Sequence, residues 1–186
     1  MKSKVEMRPA VLIAPCILSP GLQAAEKDGI HWGYQFIELL MKYKIDIISL
    51  PCPESTFNGF QMGLRRNKHG IDYYESLEGY DEHCKNLAIK SVNVIEDMQK
   101  GGYHFICIMG IEHSPTCAMN YMYSNRGTLK RKGVFTELLE EELEMHMIRI
   151  PSLGINRTYP QKAIAFLEQM ILNFSMQKDV EKGDEI

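Results

Sequence analysis

Four short stretches of the chain are almost continuously apolar: RPAVLIAP (Arg8 to Pro15), IDIISLP (Ile45 to Pro51), YHFICIM (Tyr103 to Met109) and MIRIPSL (Met147 to Leu153). Runs of this length without polar alternation are the pattern of strands covered on both faces. Between them the apolar positions take a helical period. Trp32, Phe36, Leu39, Leu40 and Tyr43 form one face. Cys84, Leu87, Ala88, Ser91, Ile95 and Met98 form a second, closed by Gly101 and Gly102, where glycine ends a helix at little steric cost. A helix from about Val134 turns Phe135, Leu138, Leu139 and Leu143 inward. The last helix is expected to open at Thr158, with Pro160 in its first turn and Gln161 three residues after the cap, a capping-box arrangement. It buries Ile164, Leu167, Ile171 and Phe174. Residues 55–80 and 118–133 show little period and read as long loops, which are commonly lids or binding walls.

Four strand–helix units in succession predict an α/β fold: a doubly wound, mostly parallel, four-stranded sheet with helices on both faces, Rossmann-like or flavodoxin-like, with right-handed crossovers. A chain of 186 residues suits one domain. That domain is expected over residues 1–178, with 179–186 as a flexible tail. In such sheets ligands collect at the carboxyl ends of the strands.

Charge and targeting signals narrow the partners. The net charge of −3 gives no reason to expect nucleic acid or an acidic membrane surface. Met1 to Met7 is polar and the apolar run after it is short, so no secretory signal is expected, and no stretch approaches a membrane span. The five cysteines, Cys16, Cys52, Cys84, Cys107 and Cys117, are odd in number and widely spaced. That pattern fits reduced thiols in a cytoplasm better than a disulfide framework.

Three of the cysteines occupy equivalent places. Cys16 follows the first strand, Cys52 follows the second, and Cys117 lies a few residues beyond the third. A parallel sheet puts those ends on one edge, so the three thiols can converge. Cys107 in mid-strand and Cys84 on an apolar helical face read as small core residues. Three convergent thiolates could take zinc if His113 or His31 supplied a fourth ligand. They could also hold an iron–sulfur cluster. On a cubane, three thiolates leave one iron without a protein ligand.

The motifs PCILSPG after the first strand, CPE (Cys52, Pro53, Glu54) after the second and SPTC (Ser114 to Cys117) after the third occur in one order. In that order the chain resembles the thiouracil desulfidase family over roughly Pro9 to Leu153. GVFTELLEEELEMHMIRIPSL is similar to the family's last helix–strand unit. The resemblance implies a 4Fe–4S cluster held by Cys16, Cys52 and Cys117, with an open iron that takes the sulfur of a thiocarbonyl substrate. It implies an oxygen-sensitive, cytoplasmic hydrolase or lyase that releases hydrosulfide without redox change. The family's Arg-Tyr-Asp-Gly segment has only Asp28 and Gly29 as counterparts, its Gly-Gly-Leu to Pro-Arg segment only Gly59 and Arg65, and Thr116 replaces its usual serine. These differences fall around the substrate rather than the cluster, and imply a relative with a changed substrate.

Glu54, two residues past Cys52, is the expected general base and then acid, and Ser114 is expected to relay a proton or orient the substrate. The plainer reading of Glu54 is a helix-start carboxylate, and of Ser114 a turn hydroxyl. His113 is a neighbouring base near neutral pH. Phe57, Phe60, Tyr73, Tyr74, Tyr121 and Tyr123 could stack a planar ring, or simply pin the loops to the core. Arg65, Arg66, Arg126, Lys130, Arg131 and Lys132 could hold an anionic group. The expected partner is a small thio-compound, with homodimerisation left open. Two other readings remain: a cluster- or zinc-binding module without turnover, and an enzyme whose Cys117 is a nucleophile activated by His113.

Overall fold

The computed structural model describes residues 7–19, 32–59 and 70–183. Four strands form one parallel sheet: β1 (Arg8–Ile13), β2 (Asp46–Ser49), β3 (Tyr103–Ile111) and, last in the chain, β6 (Ser152–Ile155). Their order is β2-β1-β3-β6. A second, two-stranded antiparallel unit is made by β4 (Met122–Ser124) and β5 (Gly127–Leu129). The helices are α1 (Pro15–Leu18), α2 (Gly33–Lys42), α3 (Pro53–Asn58), α4 (Ile71–Glu75), α5 (Tyr80–Lys100), α6 (Val134–Met145) and α7 (Pro160–Gly183).

Pleating sends alternate side chains of β1 to opposite faces. Ala10 and Leu12 join a core with Val92 and Ile95 of α5 and Leu139 and Leu143 of α6. Val11 and Ile13 join another with Phe36 and Leu40 of α2 and Leu167 and Ile171 of α7. The sheet is thus covered on both sides, which is why its strands carry no polar alternation. Between Ala10 and Val11 the pairing with β3 slips by one residue. This bulge lets Ile106 and Cys107 face the same core.

Several boundaries differ from the sequence expectation. The fourth strand is Ser152–Ile155, not Met147–Leu153. Met147 has a positive φ of 57° and is 89% exposed, and pairing with β3 begins only where the Ile108 N–H donates to the Pro151 carbonyl. The stretch 55–80 contains α3 and α4, and 118–133 contains the β4–β5 hairpin. Those elements are too short to show a period. α7 begins at Pro160, and in the turn before it the Thr158 N–H donates to Asn156 Oδ1 at 2.9 Å. The helix continues to Gly183, into the segment expected as a tail, and 184–186 lie outside the described residues. Among the described residues no helix is long and apolar enough to cross a membrane.

Candidate active site

One cavity of about 90 Å³ opens at the carboxyl edge of the sheet. Cys16, Cys52, Glu54, Ser114 and Cys117 all line it. The topology accounts for this. Cys16 stands in α1 directly after β1, Cys52 just before α3 after β2, and Cys117 in the loop after β3. Each is half-buried, and all five cysteines are free thiols. Cys84 and Cys107 are fully buried elsewhere, and burial pushes each thiol up to about 12.

The loop bearing Cys117 is fixed at both ends. The carbonyls of Pro115, Thr116 and Ala118 accept N–H groups from Gly133 to Thr136, which satisfies the otherwise unpaired first turn of α6. The buried Glu112 carboxylate accepts the N–H groups of Asn120 and Tyr121 and the Asn120 amide. Two glycines let the loop lie close. A Cβ on Gly110 would stand 2.2 Å from the Cys117 carbonyl oxygen, and one on Gly133 2.3 Å from the Thr116 carbonyl carbon. Gly133→Ala should therefore displace Thr116 and Cys117 and lower stability by about 1–3 kcal/mol, the usual range for overpacking. Urea unfolding measures it.

Cys16 and Cys117 are in hydrogen-bond contact; Cys52 acts on Cys16 through space, and Cys117 acts on Cys52. Cys16 is held well above an ordinary thiol, first because it donates to Cys117 and then by burial. Cys117 is held below, first by accepting from Cys16, against burial, and also by Ser114. Burial raises Cys52, opposed by the hydroxyl and N–H of Ser55. Ser55 Oγ is buried and turned to the Cys52 sulfur.

Glu54 is buried, only 9% exposed, and both of its oxygens are engaged. The Tyr74 hydroxyl donates to Oε2 at 2.8 Å and the Thr116 hydroxyl to Oε1 at 2.7 Å. The carboxylate is thus held by a side chain of α4 and by one of the cysteine loop. Tyr74→Phe removes one donor to a buried carboxylate and should lower stability by about 1–3 kcal/mol, read by urea unfolding. Ser114 Oγ accepts the N–H groups of Cys117 (3.1 Å) and Thr116 (3.3 Å) and lies 3.1 Å from Cys117 Sγ. Its own proton can point at the Cys117 sulfur or at Thr116 Oγ1, 3.2 Å away.

His113 sits in the left-handed region at φ 67° and lines the cavity. Its Nδ1 faces Thr128 Oγ1 at 3.4 Å. Phe57 packs edge-on against Tyr80, with ring centroids 5.1 Å apart, so this aromatic pins its segment to the core. Arg131 pairs with Glu75 and Glu137, and Lys132 with Glu140. Arg126, Lys130, Arg131 and Lys132 do not line the cavity; among the described residues the cation that does is Arg157, which the sequence reading missed. Asp28, Gly29, His31, Phe60, Arg65 and Arg66 lie outside the described residues.

Among the described residues no three of His, Cys, Asp and Glu are grouped closely enough for a single metal ion. A cluster spreads its ligands over several irons, each about 2.3 Å from its sulfur, and so asks for wider spacing than one ion does. The donor set fits such a group: three thiols around one cavity, with the buried Ser55 hydroxyl beside Cys52. Cys16 and Cys117 must part to hold it. Losing the shared proton removes the contact between them and leaves two charges that repel.

No family model matches the chain. A curated relative, the uncharacterized protein MJ0003 of Methanocaldococcus jannaschii, is 32% identical over 137 residues, which span 74% of this chain and 80% of that one. A solved structure, the 4Fe–4S-dependent thiouracil desulfidase TudS, a DUF523 protein, superposes with a TM-score of 0.50 at 16% identity, over 78% of this chain and 91% of that one. The chain belongs to the family of the M. jannaschii protein, and its fold is that of the thiouracil desulfidase.

Proposed function

We propose that the protein is an iron–sulfur-dependent desulfidase, which hydrolyses the C–S bond of a small thiocarbonyl compound and releases hydrosulfide. The observation that carries this reading is the placing of three thiols and a doubly hydrogen-bonded, buried Glu54 around one cavity. Cys16, Cys52 and Cys117 would hold a 4Fe–4S cluster. When bound, it would supply a soft electrophilic position for the substrate's sulfur.

The chain's own residues do the rest. Glu54 takes a proton from water as the water oxygen bonds to the thiocarbonyl carbon. The C–S bond breaks as Glu54 returns that proton to the leaving sulfur, and the carbon-bound hydroxyl loses its own proton to solvent and becomes the carbonyl; thiocarbonyl and water thus give carbonyl, hydrosulfide and one proton, with no electrons gained or lost. Tyr74 and Thr116 keep the carboxylate in place through the cycle. Ser114 orients Cys117. The five free thiols support a reducing, cytoplasmic setting.

The test is elemental. Protein purified without oxygen is assayed for iron, acid-labile sulfide and zinc. About four irons per chain, as a cubane requires, supports the reading. Stoichiometric zinc favours a binding module, and a metal-free protein that turns over favours Cys117 as a nucleophile.

A further inference from the structure

The strand order places chemistry in a row along the carboxyl edge. Glu54 and Cys52 follow β2, Cys16 follows β1, Cys117 follows β3, and Arg157 follows β6. Neighbouring strands lie about 4.8 Å apart, so the base and the guanidinium leave the sheet at opposite ends of the row. Both line the same cavity. Much of the wall between them is apolar, including Ile108, Met109, Ile111, Phe135 and Leu139. Arg157 is half-buried in the turn between β6 and α7, which is set by the bond from the Thr158 N–H to Asn156 Oδ1.

We infer that Arg157 binds an anionic group of the substrate, so that the substrate class is a planar thiocarbonyl compound bearing a carboxylate; this rests on the desulfidase reading above. An arginine fork matches a carboxylate in two parallel hydrogen bonds, and such charge-assisted bonds are among the strong ones. Among the described residues, the other polar side chains of the cavity are thiols, hydroxyls, a histidine and the Glu54 carboxylate. Glu54 repels a second carboxylate. A substrate anion is therefore directed to the Arg157 end, which leaves its thiocarbonyl carbon toward Glu54 and the cysteines.

The probes are uracil and orotate, which differ by a ring carboxylate, with 2-thiouracil and 2-thioorotate as their sulfur counterparts. Anaerobic calorimetry on the iron-loaded protein should show orotate binding about tenfold or more tighter than uracil, the scale of a hydrogen bond to a charged group. Arg157→Met should abolish that preference, and Arg157→Lys, which keeps the charge but not the fork, should retain part of it. An Arg157 with only a structural role would weaken both ligands alike, and the ratio would not change. Equal binding of uracil and orotate by the unaltered protein, or a preference that survives Arg157→Met, overturns the inference. If hydrosulfide is released from 2-thiouracil in that case, the desulfidase reading stands without it. An orotate preference that depends on Arg157, with no hydrosulfide from either thio-compound, supports the anion site and counts against desulfuration.

Discussion

Glu54→Gln is expected to slow hydrosulfide release by roughly 10²–10⁴-fold, the range for removing a positioned general base. The change keeps the side chain's size and much of its hydrogen bonding. The amide oxygen can still accept from Tyr74 or Thr116, whose donor oxygens now lie 2.8 and 2.7 Å from the carboxylate. What is lost is the capacity to take a proton from water and give it back. The variant should therefore fold, load iron and show the same cluster absorption. The measurement is single-turnover hydrosulfide release without oxygen, next to the absorption spectrum. A normal rate would remove Glu54 from the chemistry. A slow rate with a bleached spectrum would instead mean that Glu54 supports the cluster site.

The cysteine series divides the five thiols into two groups. Cys16→Ser, Cys52→Ser and Cys117→Ser should each lower iron content sharply, because a hydroxyl is a harder and far less acidic ligand than a thiol. Cys84→Ser and Cys107→Ser should keep iron. Both positions are fully buried, so a new hydroxyl there should cost about 1–3 kcal/mol of stability instead. Metal analysis and urea unfolding on the same five samples separate the two effects. Retained iron in all three of the first group would end the ligand assignment.

The sheet was legible because its strands are covered on both faces. Burial on two sides demands unbroken apolar runs, and such runs are visible in one sequence. The cysteine edge was legible because parallel strands all end on one side, so three residues at strand ends had to share it. The fourth strand slipped because MIRIPSL looks as apolar as the others, while Met147 adopts a left-handed turn that composition does not reveal. The hairpin and α4 were invisible for a related reason: five residues or fewer cannot display a period.

The polar frame of the site depends on distant contacts. Tyr74 and Thr116 reach Glu54 from 20 and 62 residues away, and no local pattern announces such a pairing. Glu112 and the close approaches at Gly110 and Gly133 are likewise products of tertiary packing. Arg157 is a single cation in a short turn and carries no pattern in the sequence, whereas the loop cations cluster; of those, Arg131 and Lys132 form surface ion pairs.

The central claim is that desulfuration depends on a cluster held by Cys16, Cys52 and Cys117. The most direct test is hydrosulfide release from thioamides, measured against iron content across partially loaded anaerobic samples. The account predicts no release without iron, and a rate that rises with loading to a plateau at about four irons per chain. Release from metal-free protein, or none from fully loaded protein with any thioamide, would contradict it.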